Sequence, residues 1–557
     1  MKPLHEANAS ETLEKGAPGN DAPWWVTAVT YQIYPRSFCD TTGNGVGDLE
    51  GIRQHVDYLA WLGVDAVWIS PFYPSPMKDT GYDISDYCGV DSLFGDMNVL
   101  RSLVDELHAA DIKVLFDLVP NHTSDQHPWF IESRSSRDNP KRDWYIWRDQ
   151  HEDGSPPNNW LSSFVEATDP SQAKPVTVND FLHQDARPGK NPSAWTHDEQ
   201  TGQSYLHLFL PEQPDLNWRN PEVVNAMHEV VEFWLDWGID GFRVDVVHAI
   251  GKDADLADDD ESAHGHPKSA INNDPYTHSL LQGLRRTVDA YDGDRVLVGE
   301  VFLLEPKKVA EYYGDNDELH LAFNFLPLFT QWNAASWLDR LREVQDFMES
   351  RGAWPAWGLS NHDVPRMVSR YGSEARARAA ATMLLTLRGA PFIFAGDELG
   401  MQDAEPWPWE RVDLGGRDAS RAPFPWTDAA GHGWKSEETW LPWAPGSGVK
   451  NVKCEMEDPT SMLSLYRALL DYRKQHPVMQ LGGLALLEAP MDVIAYEREY
   501  QGERRVVLIN FDDTPRVVEL EGSWVVDVAS DETPVNAYFD GHLHPDGALV
   551  LRPVVND

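Results

Sequence analysis

Eight short apolar runs constrain this chain more than any other feature. They are VTYQIYP, VDAVWISPF, IKVLFDLVP, GFRVDV, VLVGE, LHLAFNF, AWGLS and PFIFAG, and they reach from Val29 to about Gly396. Amphipathic stretches such as VVNAMHEVVEFWLDWG and ARARAAATMLLTLRG lie between them. Short apolar runs bounded by turn residues read as buried strands, and strands alternating with helical patterns read as a parallel sheet. Eight such runs predict an α/β fold, a closed (β/α)8 TIM barrel, whose chemistry sits at the C-terminal ends of its strands.

The alternation is broken once. From Asn121 to Leu206 the chain is rich in Pro, Asp, Asn, Ser and Trp, and it is too long for a plain loop. This predicts an inserted domain at 121–206, after the third strand. Beyond His476, alternating runs such as VIAYERE, RRVVLINF and ALVLRPV predict a small antiparallel β domain at 476–557. The barrel then takes 24–120 and 207–475, and residues 1–23 read as a disordered tail.

Charge and composition exclude several functions. Acids outnumber bases 90 to 46, giving a formal net charge of -44, which argues against nucleic acid or an anionic membrane as partner. A neutral substrate such as a sugar suits that balance, and 23 Trp offer flat apolar faces for it. Cys39, Cys88 and Cys454 form neither a zinc pattern nor a disulfide framework, as expected in a reducing compartment. The N-terminus lacks the basic start and apolar stretch of a signal peptide. The most apolar region, ATMLLTLRGAPFIFAG, is interrupted by Arg388 and Pro391 and is too short to span a bilayer. A soluble cytoplasmic protein, monomer or homodimer, is the expectation.

Three carboxylates lie at or just beyond strand-like runs: Asp245 in GFRVD, Glu300 in VLVGE and Asp363 in SNHD. A charge there is costly unless it is paired or used. Two such acids are what glycosidic cleavage needs. Arg243 stands two residues before Asp245, so both side chains face one side of the strand, and the pairing is expected to keep the carboxylate ionised.

The motifs YQIYPRSF, DTGYDISDY, DLVPNH, QPDLN, GFRVD, VGE, SNHD and GRDASRAPFPW occur in that order. Together they closely resemble those of glycoside hydrolase family 13, the α-amylase family, and most nearly its α-glucosidase and oligo-1,6-glucosidase branch. The resemblance implies a catalytic barrel, a B domain after strand three and a C-terminal β-sandwich. It implies a retaining mechanism without a catalytic cofactor, in which Asp245 is the nucleophile, Glu300 the general acid/base and Asp363 the transition-state stabiliser. His122, His362 and Arg243 match sugar-site residues. Asp79 and Tyr82 match those that close the non-reducing end of the pocket, and Arg421 matches the arginine that pairs with Asp79. Phe164, after NNWLSS, is expected on the pocket wall. Such a plugged pocket implies an exo-acting enzyme that removes one terminal glucose from maltose, isomaltose, sucrose or a similar small oligosaccharide.

The segment from Asp40 to Asp48 resembles the family's metal loop. Asp40, Thr42, Asn44, the Val46 carbonyl and Asp48 are the ligands it offers to a structural Ca²⁺ or Mg²⁺, with a plain Asp/Gly turn as the alternative. Linkage stays open between α-1,4 and α-1,6. In the family, Val246 after the nucleophile accompanies α-1,6 cleavage, whereas the short loop after LHLAFNF resembles members that accept α-1,4 bonds. The rival is a glucosyl-transferring or isomerising enzyme of the sucrose isomerase or trehalose synthase type. Sucrose isomerases carry an Arg-Leu-Asp-Arg-Asp loop where this chain has LPLFTQW. The string Leu338-Asp339-Arg340 falls later, in a helical pattern.

Overall fold

A computed structural model describes residues 22–163, 192–260 and 270–554. The expected tail up to residue 21 and Phe164 lie outside the described residues. Each of the eight apolar runs contains one strand. The first three are β1 (Thr30–Ile33), β2 (Ala66–Ile69) and β3 (Lys113–Leu118). Three strands of a separate sheet follow: β4 (Trp147–Arg148), β5 (Trp195–Asp198) and β6 (Gln203–Leu206). The barrel resumes with β7 (Gly241–Val244), β8 (Val296–Gly299), β9 (Leu321–Ala322), β10 (Ala356–Gly358) and β11 (Ala390–Phe394).

The barrel strands run in the order β10-β11-β1-β2-β3-β7-β8-β9, all paired parallel. A parallel bridge from Phe323 to Ala356 joins the last strand to the first and closes the barrel. Every residue of β1, β2, β7, β8, β10 and β11 is buried, as expected where helices cover one face and the barrel interior the other. The sequence therefore shows continuous apolar runs rather than alternation.

The covering helices start where side chains satisfy their free amides. Asp96 accepts from Asn98 N and Val99 N ahead of Met97–Ala109, and Asn220 accepts from Glu222 N ahead of Pro221–Asp236, which has Pro at its first position. Met97–Ala109 buries Leu100, Leu103, Val104 and Leu107, one helical face. Each such side chain contributes roughly 1.5–3 kcal/mol by leaving water.

Between β3 and β7, the antiparallel sheet β4-β6-β5 packs with a cluster that includes Ile146, Trp160, Trp195, Leu206 and Leu208. At the C-terminal end stands an antiparallel sheet in the order β12 (Gly483–Leu487), β13 (Val493–Tyr500), β14 (Glu503–Asn510), β18 (Ala548–Pro553) and β16 (Trp524–Ala529). The pair β15 (Arg516–Val517) and β17 (His542–Leu543) completes it. The fold is a TIM barrel carrying an insertion after its third strand and a C-terminal antiparallel sheet domain. No helix among the described residues is long and apolar enough to cross a membrane.

One buried acid beneath the barrel wall makes stability depend on pH. Glu398, fully buried after β11, accepts from the Tyr31 and Tyr58 hydroxyls at 2.6 and 2.8 Å and from Gly396 N at 2.8 Å. Burial pushes its carboxyl up from the ordinary 4.5 to about 7 against these bonds. The folded state therefore holds a proton that the unfolded chain releases. The stability this confers is complete below about 4.5 and is lost as pH rises to about 7, an effect of up to about 3 kcal/mol. The melting temperature is expected to fall between pH 5 and pH 8, and Glu398→Gln should flatten that fall. Parallel profiles for both proteins would contradict it.

Candidate active site

Three adjacent strands bring the first group of charges together. Asp117 on β3 lies in register with Arg243 on β7, and Arg243 lies in register with Val298 on β8, two residues before Glu300. The Arg243 guanidinium donates from Nη1 to Asp117 Oδ1 at 2.9 Å and to Asp245 Oδ1 at 2.6 Å. From Nη2 it donates to Glu300 Oε2 at 2.6 Å. One planar cation thus holds Asp245 and Glu300 side by side. Val246 turns the chain with a φ of 43°, a strained value for a β-branched residue, and its N–H donates to Glu300 Oε2 at 3.0 Å.

The expected ion pair between Arg243 and Asp245 is present, but it does not decide the charge of Asp245. Burial pushes this carboxyl well up; Arg243 opposes, and the neighbouring Glu300 and Asp117 charges reinforce the rise. One cation facing three carboxylates leaves an excess of negative charge in a dry site, which favours an added proton. Asp117 follows the same logic and is pushed up to about 6 by burial, with Arg243 opposing.

Asp363 sits in the loop after β10, where Asn361 Oδ1 accepts from its N–H and from Val364 N. Its Oδ1 accepts from Arg417 Nη1 at 3.2 Å and from Arg421 Nη2 at 3.1 Å. Burial alone would raise this carboxyl, yet the surrounding positive groups hold it well below the usual range. His362 is itself held down to about 3 by burial, so at neutral pH the work falls to Arg417, Arg421 and Arg243. Asp363 is therefore an ionised carboxylate, unlike Asp245 and Asp117, which burial pushes toward protonation.

The neutral His362 ring belongs to a directed chain. Gln32 Nε2 contacts Nδ1 at 2.7 Å, and Nε2 contacts the Tyr82 hydroxyl at 2.7 Å. Tyr82 in turn donates to Asp117 Oδ2 at 3.1 Å. The Tyr82 and His362 rings stack at 5.4 Å with 5° between their planes, so one face of Tyr82 is already covered.

The expected pairing of Arg421 with Asp79 is corrected by the structure: the partner is Arg417, whose Nη2 lies 2.5 Å from Asp79 Oδ1. Arg421 is fully buried and instead bonds Thr80 Oγ1 at 2.8 Å, the His362 carbonyl at 2.7 Å and Asp363. Arg417 is itself held by Asp413, through Nε at 3.0 Å and Nη2 at 2.7 Å. A fork bonded on both sides is preorganised to fix Asp79 and Asp363 together. Arg417→Lys keeps the charge but loses the fork, and kcat/KM for disaccharides is expected to fall about 100-fold. A loss below threefold would show that Arg417 does not organise the site.

Gln213, from the QPDLN motif, is fully buried and donates to Asp79 Oδ2 at 2.9 Å. The same nitrogen lies 3.0 Å from His122 Nε2, while Asn121 Nδ2 lies 3.1 Å from Nδ1. Burial keeps His122 below its ordinary value, and a neutral ring accepts at only one nitrogen. Buried Lys252 fixes Asn121 at 2.7 Å and Asp215 at 2.8 Å. Asp117, Gln213, Lys252, Asp413 and Arg417 are site residues that motif reading passed over, although three of them stand inside the quoted motifs DLVPNH, QPDLN and GRDASRAPFPW.

The candidate metal loop is closed by its own bonds. Asp40 accepts from Thr42 N, Gly43 N, Gly45 N and Ser436 N at 2.7–3.2 Å. Asp48 accepts from Thr41 N at 2.8 Å and Gly51 N at 2.7 Å, capping the next helix, and Asn44 Oδ1 accepts from Val46 N at 2.9 Å. Among the described residues no group of three or more His, Cys, Asp or Glu side chains could hold a metal ion. Of the candidate ligands only Asp40 and Asp48 are of those types, and both carboxylates are engaged by amides of the turn.

Acidic side chains gathered about one arginine, at the strand ends of a closed barrel, define a class of enzyme acting on glycosidic bonds. The comparisons with known proteins then narrow the class. The family description "Alpha amylase, catalytic domain" matches residues 32–482. An oligo-1,6-glucosidase from Parageobacillus thermoglucosidasius is 37% identical over 546 residues, covering 89% of this chain and 92% of that protein. The solved alpha-glucosyl transfer enzyme XgtA superposes with a TM-score of 0.84 at 37% identity, over 96% of this chain and 100% of that one. Trehalulose synthase MutB from Pseudomonas mesoacidophila MX-45 gives a TM-score of 0.85 at 34% identity, over 96% and 100%. The chain belongs to the α-amylase family of glycoside hydrolases and is an enzyme of that family.

Proposed function

We propose that this chain is a retaining, exo-acting α-glucosidase. It releases terminal α-linked glucose, through α-1,4 and/or α-1,6 bonds, from short oligosaccharides. The observation that carries the reading is the single Arg243 fork, which holds Asp245 and Glu300 together. That arrangement suits the close carboxyl pair of a retaining enzyme, about 5–5.5 Å, rather than the wider gap an inverting enzyme leaves for water. The buried Asp79–Arg417 pair supports a closed end to the pocket, and hence exo action.

In this mechanism an Asp245 oxygen attacks C1 of the terminal glucose. Glu300 gives its proton to the glycosidic oxygen, and the leaving sugar departs as an alcohol. Asp363, ionised by its arginines, holds ring hydroxyls and favours the positive charge developing at C1. Water then enters, Glu300 takes its proton, and the hydroxide attacks C1 and frees Asp245. Two inversions return the α-anomer. His122, His362, Tyr82, Asp79, Gln213, Arg417 and Arg421 orient the sugar. The domain division is barrel 24–120 and 207–475, insert 121–206 and C-terminal domain 476–557. The setting is cytoplasmic, in keeping with three free cysteines.

The likeness to MutB favours one second reading, isomerising glucosyl transfer with water excluded. Against it, Leu338-Asp339-Arg340 lies within the helix Ala334–Phe347, where Arg340 pairs with Glu343 at 2.8 Å. The name of the oligo-1,6-glucosidase relative supports α-1,6 bonds among the substrates. The test is a time course on maltose, isomaltose, sucrose and trehalose, with the product anomer read by NMR. Free glucose appearing first as the α-anomer is expected. An isomer of sucrose accumulating without free glucose would overturn the hydrolase reading.

A further inference from the structure

Lys252 is buried and takes no part in the chemistry above. Its ammonium donates to Asn121 Oδ1 at 2.7 Å and to the Ala249 carbonyl at 2.8 Å, and it pairs with Asp215 Oδ2 at 2.8 Å. Asn121 Nδ2 donates to the same Asp215 oxygen at 3.2 Å. A cation that can only donate therefore faces the Asn121 oxygen, and a carboxylate that accepts faces its nitrogen. This leaves the amide one orientation. Turned over, it would set Nδ2 against the ammonium and Oδ1 against the carboxylate.

That orientation aims Asn121 Nδ2 at His122 Nδ1, 3.1 Å away. On the other side of the ring, Gln213 is oriented too. Its Oε1 accepts from Leu210 N at 3.1 Å and its Nε2 donates to Asp79 Oδ2 at 2.9 Å, which places that nitrogen 3.0 Å from His122 Nε2. His122 thus meets an amide donor at each ring nitrogen. Burial lowers its pKa; Asp215, Asp79 and the Tyr82 carbonyl oppose, and Lys252 reinforces. A neutral ring accepts at one nitrogen and carries its proton on the other, so one of the two donors is mismatched.

The two donors are not equal. Asn121 is clamped by full charges of both signs, and such bonds are roughly twice as strong as neutral ones. Gln213 Oε1 is held by a neutral backbone amide. The mismatch therefore falls at Gln213: Nδ1 accepts from Asn121, and the proton sits on Nε2. Nε2 is the nitrogen on the Asp79 side, where its proton is a donor for a sugar hydroxyl. With Lys252 and Asp215 neutralised, Asn121 is free to turn and accept from Nδ1–H, and Nε2 then accepts from Gln213. Every partner would match, and the donor would be lost. A local mismatch held in place by a buried ion pair is expected at a functional site rather than elsewhere.

We infer that Lys252 is a positioning residue: paired with Asp215 and acting through the Asn121 amide, it fixes the His122 tautomer so that Nε2–H is presented to the sugar beside Asp79. The inference rests on the α-glucosidase reading for its ligand, whereas the tautomer belongs to the protein alone.

The test uses the full chain with ¹⁵N in its histidine rings and long-range proton–nitrogen correlation spectra, which distinguish the two tautomers. The His122 signals are those lost in His122→Gln. Wild-type protein is expected to show Nδ1 bare and Nε2 protonated. Two variants are expected to reverse this. Lys252→Met/Asp215→Asn removes both charges and so leaves neither of them buried without its partner. Asn121→Ala keeps the ion pair and removes the amide. Both are expected to lower kcat/KM for the better of maltose and isomaltose about tenfold. A purely structural role for Lys252 would lower activity without moving the ring proton. A wild-type ring protonated on Nδ1, or the wild-type pattern kept in either variant, overturns the inference, as does a reversed tautomer with kcat/KM within twofold of wild type. Wild-type protein that shows the expected tautomer but turns over neither sugar overturns the glucosidase reading instead, a separate and recognisable failure.

Discussion

Asp245→Asn is expected to lower kcat on maltose or isomaltose by at least about 10⁴-fold, because an amide cannot form the glucosyl ester on which the retaining route depends. The folded state should not suffer. The wild-type carboxyl is buried, and burial pushes it toward the protonated form, so a neutral isostere removes an electrostatic cost at neutral pH. The variant is expected to melt at or above the wild-type temperature. Because the nucleophile must be ionised, the acid limb of the wild-type kcat/KM profile should lie above the ordinary aspartate value of about 3.9. Residual kcat within 100-fold of wild type would remove Asp245 from its assigned role.

Arg243→Leu is expected to be the most damaging change to activity and stability together. The guanidinium is 3% exposed and bonds Asp117, Asp245 and Glu300, which themselves are largely buried. Taking it away leaves three acids facing one another, a loss of about 3–5 kcal/mol when one partner of a buried charge network is removed. The loss should be larger at pH 8 than at pH 5.5, since acids deprived of their cation take up protons and the strain eases as they do. Denaturant unfolding at the two pH values tests this, and an equal loss at both would show that packing rather than charge sets the effect. Arg243→Lys should recover part of the stability but little of the activity, because a single ammonium cannot orient Asp245 and Glu300 at once.

The barrel was legible because its strands are buried on both faces, so each announced itself as a mainly apolar run with few polar interruptions. Asp245 and Glu300 were legible for the converse reason: a carboxylate ending such a run stands out. Arg417 and Arg421 were not separable in this way. They lie four residues apart in one motif, around the short turn Asp418–Arg421, and both reach Asp363. Which of them meets Asp79 depends on how the long segment after β11 re-enters the site. Motif position carries no information about that path. Gln213 stood in a quoted motif without a role, since its amide nitrogen meets Asp79 and His122, both far away in the chain.

Sequence by itself determined the strand count, the insertion after the third strand and the chemical types at the strand ends, because these depend on local periodicity and on the cost of charge in apolar runs. Only the tertiary structure decided which arginine serves which carboxylate, and that Asp245 is pushed toward its protonated form while Asp363 is held ionised. Those outcomes depend on distances between groups far apart in the chain, and on the burial that sets how strongly their charges act.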